Sequence, residues 1–154
     1  MKALVTGATG FVGGAVARGL IRAGVDVRVL TRSQSDTQNL SGLPVERVEG
    51  DLLNPASLQT ALAGCQQLYH VAAYYALWAK DPAIFYEINV TGTRNVFAAA
   101  RLAGIQRTVY CSTIGTIGLP ANGALGTEDT PASLEQMAGH YKRTKYLAEQ
   151  EVLK

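Results

Sequence analysis

The sequence predicts an α/β protein built on a doubly wound parallel sheet, and three observations predict it. Short apolar runs alternate with stretches of helical apolar spacing along the 154 residues, the pattern of strands joined by crossover helices. Three glycines, Gly7, Gly10 and Gly13, stand three apart in TGATGFVGG, between the first apolar run and the first helical stretch. The ends of the helical stretches carry glycine or asparagine-proline punctuation that agrees with this division.

Ala3 to Thr6 reads as the first strand, because it is apolar and too short for a helix, and Phe11 to Ala23 as the first helix. Gly24 stops that helix, and Asp26 to Thr31 follows as a second strand. The link from Arg32 to Pro44 is polar and lacks a full helix; Val45 to Val48 reads as a third strand. Asn54 is placed as the cap, and Pro55 as the first residue, of a helix running to Ala63. Gln67 to Ala72 makes a fourth strand, Ile84 to Ala103 a long helix stopped by Gly104, and Arg107 to Ser112 a fifth strand. Thr116 to Ala138 holds Gly118, Pro120, Asn122, Gly123, Gly126 and Pro131 and is too broken for regular structure. It leads into a last helix, Gly139 to Leu153, that carries Tyr141 and Lys145, which makes it a loop bordering a site.

Composition removes several classes of function. Hydrophobic residues make up 47% of the chain and charged residues 17%, against a usual charged share of about 25%, so much of the surface is interior or interface. A formal charge of +2, with Lys and Arg scattered, argues against a nucleic-acid or membrane-surface partner. Cys65 and Cys111 are far apart and outside any metal-ligand spacing, so they read as buried free thiols with no metal site. No stretch reaches the roughly 18 apolar residues needed to span a bilayer, and the N-terminus lacks a signal-peptide pattern. A cytoplasmic location is expected.

The glycine turn points to a dinucleotide. Between strand and helix, glycines let the backbone turn tightly and approach a ligand closely, and the first amides of the helix attract a pyrophosphate. Gly7 would make the turn, Gly10 admit the phosphates and Gly13 let the helix lie against the sheet, with Thr9, Phe11 and Val12 lining the same approach. The spacing G-x-x-G-x-x-G departs from the common G-x-G-x-x-G, and a tight connection without a ligand is the alternative. At the end of the second strand, where an acidic residue would hold ribose hydroxyls, the chain has Arg32, which suits a 2'-phosphate. NADP is therefore expected, with NAD as the alternative, in which Arg32 is a solvated charge. Asp51, beside Leu52, is placed either to accept from the adenine amino group or to cap the next helix. Val71, Ala72 and Ala73 are small enough to let backbone lie against a cofactor, and suit ordinary sheet packing equally.

Tyr141 and Lys145 are four apart on one helix face. A phenol of pKa about 10 is a poor proton carrier at neutrality, and a nearby ammonium would lower it. The alternative is an exposed basic face with an incidental tyrosine. Tyr74, Tyr75 and Trp78 either wall a pocket or pack in the core. His70, inside a strand, reads as a satisfied buried histidine, and His140 points away from Tyr141.

TGATGFVGG, the GDL of residues 50 to 52, HVAA at 70 to 73, NVTGTRNV at 89 to 96, YCSTIGTIG at 110 to 118 and YKRTK at 141 to 145 together resemble the extended short-chain dehydrogenase/reductase family. HVAAYYALWAKDP and GHYKRTKYLAEQEV are most similar to its hopanoid-associated sugar epimerases and dihydroflavonol-reductase-like members. The resemblance implies a Rossmann sheet in the order 3-2-1-4-5 over residues 1–154, lacking the C-terminal strands and substrate lobe with which members continue. It implies an NAD(P)-dependent oxidoreductase or epimerase acting on a sugar nucleotide or small ketone or alcohol. Tyr141 would be the acid/base, Lys145 would hold the nicotinamide ribose, and Thr113, with Ser112 in reserve, would position the substrate oxygen. Asn89 would support the site. It also implies an exposed fifth-strand edge and a homodimer through the helices holding Asn89 to Ala103 and Tyr141 to Leu153. A non-catalytic NAD(P)-binding module is the competing reading.

Overall fold

The computed structural model describes residues 1–120 and 123–154, so Asn122 of the broken loop lies outside the described residues. Five strands, β1 (Lys2–Thr6), β2 (Asp26–Thr31), β3 (Val45–Glu49), β4 (Gln67–His70) and β5 (Arg107–Tyr110), form one parallel sheet in the order β3-β2-β1-β4-β5. This is the α/β Rossmann arrangement and strand order expected of the sequence. The helices are α1 (Phe11–Arg22), α2 (Pro55–Leu62), α3 (Ala83–Tyr86), α4 (Thr93–Leu102) and α5 (Gly139–Val152).

Both faces of the sheet carry a core, because successive strand residues point to opposite sides. Leu4, Leu30, Leu58, Leu62, Leu68 and Val96 form one cluster beneath α2 and α4; Val5, Ala17, Val27, Val29 and Leu40 form the other beneath α1. Leu40 comes from the single 3-10 turn Gln38–Leu40, the only regular piece described in the Arg32 to Pro44 link. On the α1 face, the paired residues Val5, Tyr69 and Val109 grow steadily more exposed toward β5, where Val109 is 44% exposed. The fifth strand is thus an open edge.

The punctuation works as read. Asn54 Oδ1 accepts from Ala56 N (3.1 Å) and Ser57 N (3.3 Å), with Pro55 at the first helical position. Gly24 and Gly104 follow α1 and α4 in the left-handed region, at φ 73° and 69°. Cys65 is buried, whereas Cys111 is only partly so.

Three elements differ from the sequence reading by more than a one-residue shift at an end. β4 stops at His70 because the next two amides leave the ladder: Val71 N and Ala72 N both donate to Thr6 Oγ1, at 3.2 Å each. β5 stops at Tyr110, Cys111 N making the last bond to His70 O at 3.0 Å. The long helix is broken in register, since Glu87–Gly92 is a π turn between α3 and α4. Within it the buried Asn89 clamps the backbone of Tyr74, accepting from Tyr74 N (2.7 Å) and donating to Tyr74 O (3.2 Å). π turns of this kind occur frequently at functional sites.

Candidate active site

The glycine turn is built as the spacing implies. Gly7 has φ +71°, and a Cβ there would fall 2.7 Å from Ala72 N and 2.8 Å from Ala72 Cα, so the turn rests on the end of β4. Gly13 differs from its expected role: a Cβ there would strike the carbonyl of Gly7, so it lets α1 lie on the turn itself rather than on the sheet. Gly10 is the residue before α1; it has no side-chain cap, and a Cβ there would meet nothing nearer than Gly7 O at 3.4 Å. The first amides of α1 are therefore left to a ligand, flanked by exposed Val12 and by Phe11, which is 87% exposed. These features fit the diphosphate of a dinucleotide.

Beside the turn is a cavity of about 450 Å³ lined by Thr9, Phe11, Asp36, Gln38 and Asn39. Asn39 Nδ2 donates to Gly10 O (3.0 Å) and Thr9 O (3.4 Å). Asn39 and Asp36 were not singled out by sequence; a polar run in the Arg32 to Pro44 link was their only signal. Arg32 stands exposed at the end of β2 and does not line this cavity, while Asp26 lies at the far end of the strand, beside Lys2.

Asp51 does not cap α2, because Asn54 does; Asp51 Oδ1 accepts instead from Leu53 N at 2.8 Å. The Leu52 side chain belongs to the core beneath α2 and α4, which leaves only its backbone to face a ligand. Val71, Ala72 and Ala73 are half-buried at the end of β4. His70 is fully buried, with Nδ1 2.7 Å from Thr6 Oγ1 and Nε2 3.0 Å from Thr93 Oγ1. Thr6 Oγ1 already accepts from two backbone amides, so its own proton goes to Nδ1 and the ring proton sits on Nε2. Burial, helped by the charge of Lys145, pulls His70 down to about 3, so it is a neutral structural link, as the sequence suggested.

α5 lies against the segment after β5 and meets it at three levels. At the first, the Thr113 hydroxyl, whose Oγ1 accepts from Gly115 N at 3.2 Å, stands close enough to Tyr141 to favour its phenolate. At the second, one turn on, Lys145 Nζ donates to Tyr110 Oη (2.8 Å) and Cys111 O (2.7 Å). At the third, Glu149 accepts from Ser112 Oγ and, at 3.2 Å, from Thr116 Oγ1. Ser112, the reserve candidate, is thereby turned away from Tyr141, and Thr113 is the hydroxyl that faces it. Tyr110 and Glu149 lie within stretches that carry the family resemblance, but their spacing alone gives neither a role; their contacts with Lys145, Ser112 and Thr116 appear only in the fold.

Burial raises the Tyr141 phenol above its usual value, opposed by the Thr113 hydroxyl. The expected lowering by Lys145 is absent here: the ammonium is drawn to Tyr110 and the Cys111 carbonyl instead. Burial in turn pulls Lys145 down to about 8. Tyr75 sets its ring edge-on to Tyr141 at 5.0 Å and is 77% exposed, whereas Tyr74 packs inward on Phe85 at 4.9 Å. Trp78 is exposed on the same loop, and His140 packs on Phe85 and Tyr86. Asn89 Nδ2 also donates to Thr144 Oγ1 (3.0 Å), which ties the π turn to α5. A cavity of about 550 Å³ opens beside Thr113, lined also by Ser112, Thr116, Tyr146 and Glu149.

The pieces are contiguous: Gly7 rests on Ala72, Cys111 bonds His70, and Lys145 bonds Cys111, all at the carboxyl ends of the strands, where such sheets bind ligands. Among the described residues no cluster of His, Cys, Asp and Glu could hold a metal, and no helix is long and apolar enough to cross a membrane.

Known proteins carry the same pattern. The profile of the NAD dependent epimerase/dehydratase family matches residues 3–154. A putative dihydroflavonol 4-reductase of Synechocystis is 48% identical over 149 residues, covering 97% of this chain and 43% of that protein. Sterol demethylase protein B of Methylococcus capsulatus is 40% identical over 153 residues, covering 99% of this chain and 46% of that one. Among solved structures, that of gox2253 superposes with a TM-score of 0.93 at 49% identity, over 98% of this chain and 46% of its own. UDP-glucose 4-epimerase from Brucella ovis, solved in complex with NAD, gives 0.85 at 29% identity, over 99% of this chain and 46% of its own. The chain thus spans a little under half the length of these relatives. It belongs to the NAD dependent epimerase/dehydratase family, and with it to the extended short-chain dehydrogenase/reductases.

Proposed function

We propose that this chain is the cofactor-binding and acid/base portion of an NAD(P)-dependent oxidoreductase or epimerase, acting on a hydroxyl or carbonyl of a sugar nucleotide or a small ketone or alcohol. The observation that carries the reading is the placing of the Thr113 hydroxyl beside Tyr141, with Lys145 one turn along α5 held to Cys111 O, near the uncapped start of α1. The α1 amides and the Gly7 to Gly13 turn hold the diphosphate. The nicotinamide, when bound, supplies or accepts the hydride at the reacting carbon. Tyr141 gives or takes the proton at the substrate oxygen, Thr113 positions that oxygen, and Lys145 holds the ribose. Burial keeps the Tyr141 phenol protonated at rest, until positive charge from the bound cofactor offsets it.

Arg32 makes NADP the proposed cofactor; Asp36, lining the cavity at the glycine turn, supports NAD as a second reading. Titration of the chain with NADPH and NADH, followed by nicotinamide fluorescence, separates them. Tighter NADH binding removes the role of Arg32, and no binding of either removes the cofactor reading. We place a homodimer on α4 and α5, where Leu102 and Leu153 are exposed; sedimentation as a monomer at micromolar concentration would refute it.

A further inference from the structure

We propose that Tyr110 is a positioning residue for Lys145: its hydroxyl, with the Cys111 carbonyl, clamps the ammonium at the floor of the cleft. The inference rests on the role given to Lys145 above and adds to it a residue to which the sequence assigns no role.

Lys145 leaves α5 and reaches the end of β5, where Nζ lies 2.8 Å from Tyr110 Oη, 2.7 Å from Cys111 O and 4.3 Å from the centre of the Tyr110 ring. An ammonium has three N–H groups. Two are occupied by these acceptors, and the third is left for a ligand in the cleft. The Tyr110 ring is itself fixed between His70, at 5.8 Å, and Phe97, at 6.2 Å, so the hydroxyl has a defined place.

The electrostatic setting makes that place matter. Lys145 is 3% exposed and pairs with no carboxylate among the described residues. Its neighbours that can carry charge are Tyr110 from β5, Cys111 just after it, His70 from β4, and Tyr141 and Glu149 from its own helix. His70 is neutral, and burial pushes the Tyr110 phenol up, so it stays protonated. Glu149 is turned to Ser112 and Thr116. The ammonium is therefore solvated by two neutral dipoles rather than cancelled by an anion. Its positive field is held in place but left available to a ribose hydroxyl. A buried ammonium supported this way is sensitive to the loss of either acceptor.

Tyr110→Phe keeps the ring between His70 and Phe97 and removes only the hydroxyl. The Lys145 titration is followed in the chain by the ¹³Cε and ¹⁵Nζ resonances of labelled lysine, assigned with Lys145→Met. The wild-type midpoint is expected near 8, and the variant's lower by roughly one pH unit, the loss of one hydrogen bond to a charged group. A midpoint unchanged by the substitution overturns the proposal. Wild type alone supplies a second check: below the midpoint the clamped ammonium should show slowly exchanging ¹H–¹⁵N correlations, and exchange as fast as that of surface lysines overturns it too. Neither measurement needs cofactor, so a chain that fails to bind NADPH or NADH would remove the proposed function while the titration still decides the role of Tyr110.

Discussion

Replacing Gly7 by alanine separates two costs that the glycine turn avoids. The first is conformational: at φ +71° an alanine in the left-handed region loses roughly 1–2 kcal/mol. The second is steric: the new methyl would sit 2.7 Å from Ala72 N and 2.8 Å from Ala72 Cα, atoms of a backbone that cannot rotate aside. Displacing the end of β4 adds on the order of 1–3 kcal/mol. Gly24 is the internal control, because it has φ +73° and nothing within 4 Å of its missing Cβ, so Gly24→Ala incurs only the first cost. With a urea m-value of about 2 kcal/mol/M, Gly7→Ala should lower the unfolding midpoint by about 1–2 M, and Gly24→Ala by about half as much. Urea melts followed by circular dichroism on the two variants and wild type decide the matter. Equal midpoints for the two variants would show that the turn does not rest on β4, and the account of the cradle would fail with it.

Gly10→Ala should do the reverse, because its methyl meets only Gly7 O at 3.4 Å but lies where the diphosphate would approach. Its melt is expected within about 0.5 kcal/mol of wild type while NADPH affinity drops tenfold or more; undiminished affinity would remove Gly10 from the binding surface. His70 predicts an acid sensitivity. The folded ring refuses a proton down to about 3, whereas the unfolded chain takes one up near 6.5, so stability should fall by about 1.4 kcal/mol per pH unit from about pH 6 to pH 4. His70→Gln should flatten that slope by about one proton's worth, and a variant as steep as wild type would show that the ring is charged in the fold.

The strand order and helix ends were legible because alternation and punctuation are local. What escaped was the consequence of contacts between distant residues. The π turn at Glu87–Gly92 shifts register by one residue, which a smooth apolar periodicity does not display; it goes with the Asn89 clamp on Tyr74. The sequence reading makes β4 and β5 two residues too long because Val71, Ala72, Cys111 and Ser112 fit a strand by side chain, while the Val71 and Ala72 amides go to Thr6, the Cys111 carbonyl to Lys145 and the Ser112 hydroxyl to Glu149. In the candidate site, Tyr141, Lys145, Thr113 and the glycines were legible as spaced motifs. Tyr110, Glu149, Asn39 and Asp36 have no such spacing and emerge only when the chain is folded.

The three levels at which α5 grips the end of β5 carry an evolutionary consequence. Their partners lie on residues 141, 145 and 149, so a single insertion within that span would turn later side chains about 100° off the seam. The stretch before α5 is tied to the helix by two bonds to its own backbone, Tyr146 Oη to Ala132 O and Arg143 to Leu134 O, both at 3.2 Å. Changes of length in that stretch are bearable in descendants of this scaffold only where those two bonds survive, while the ladder from 141 to 149 must keep its pitch.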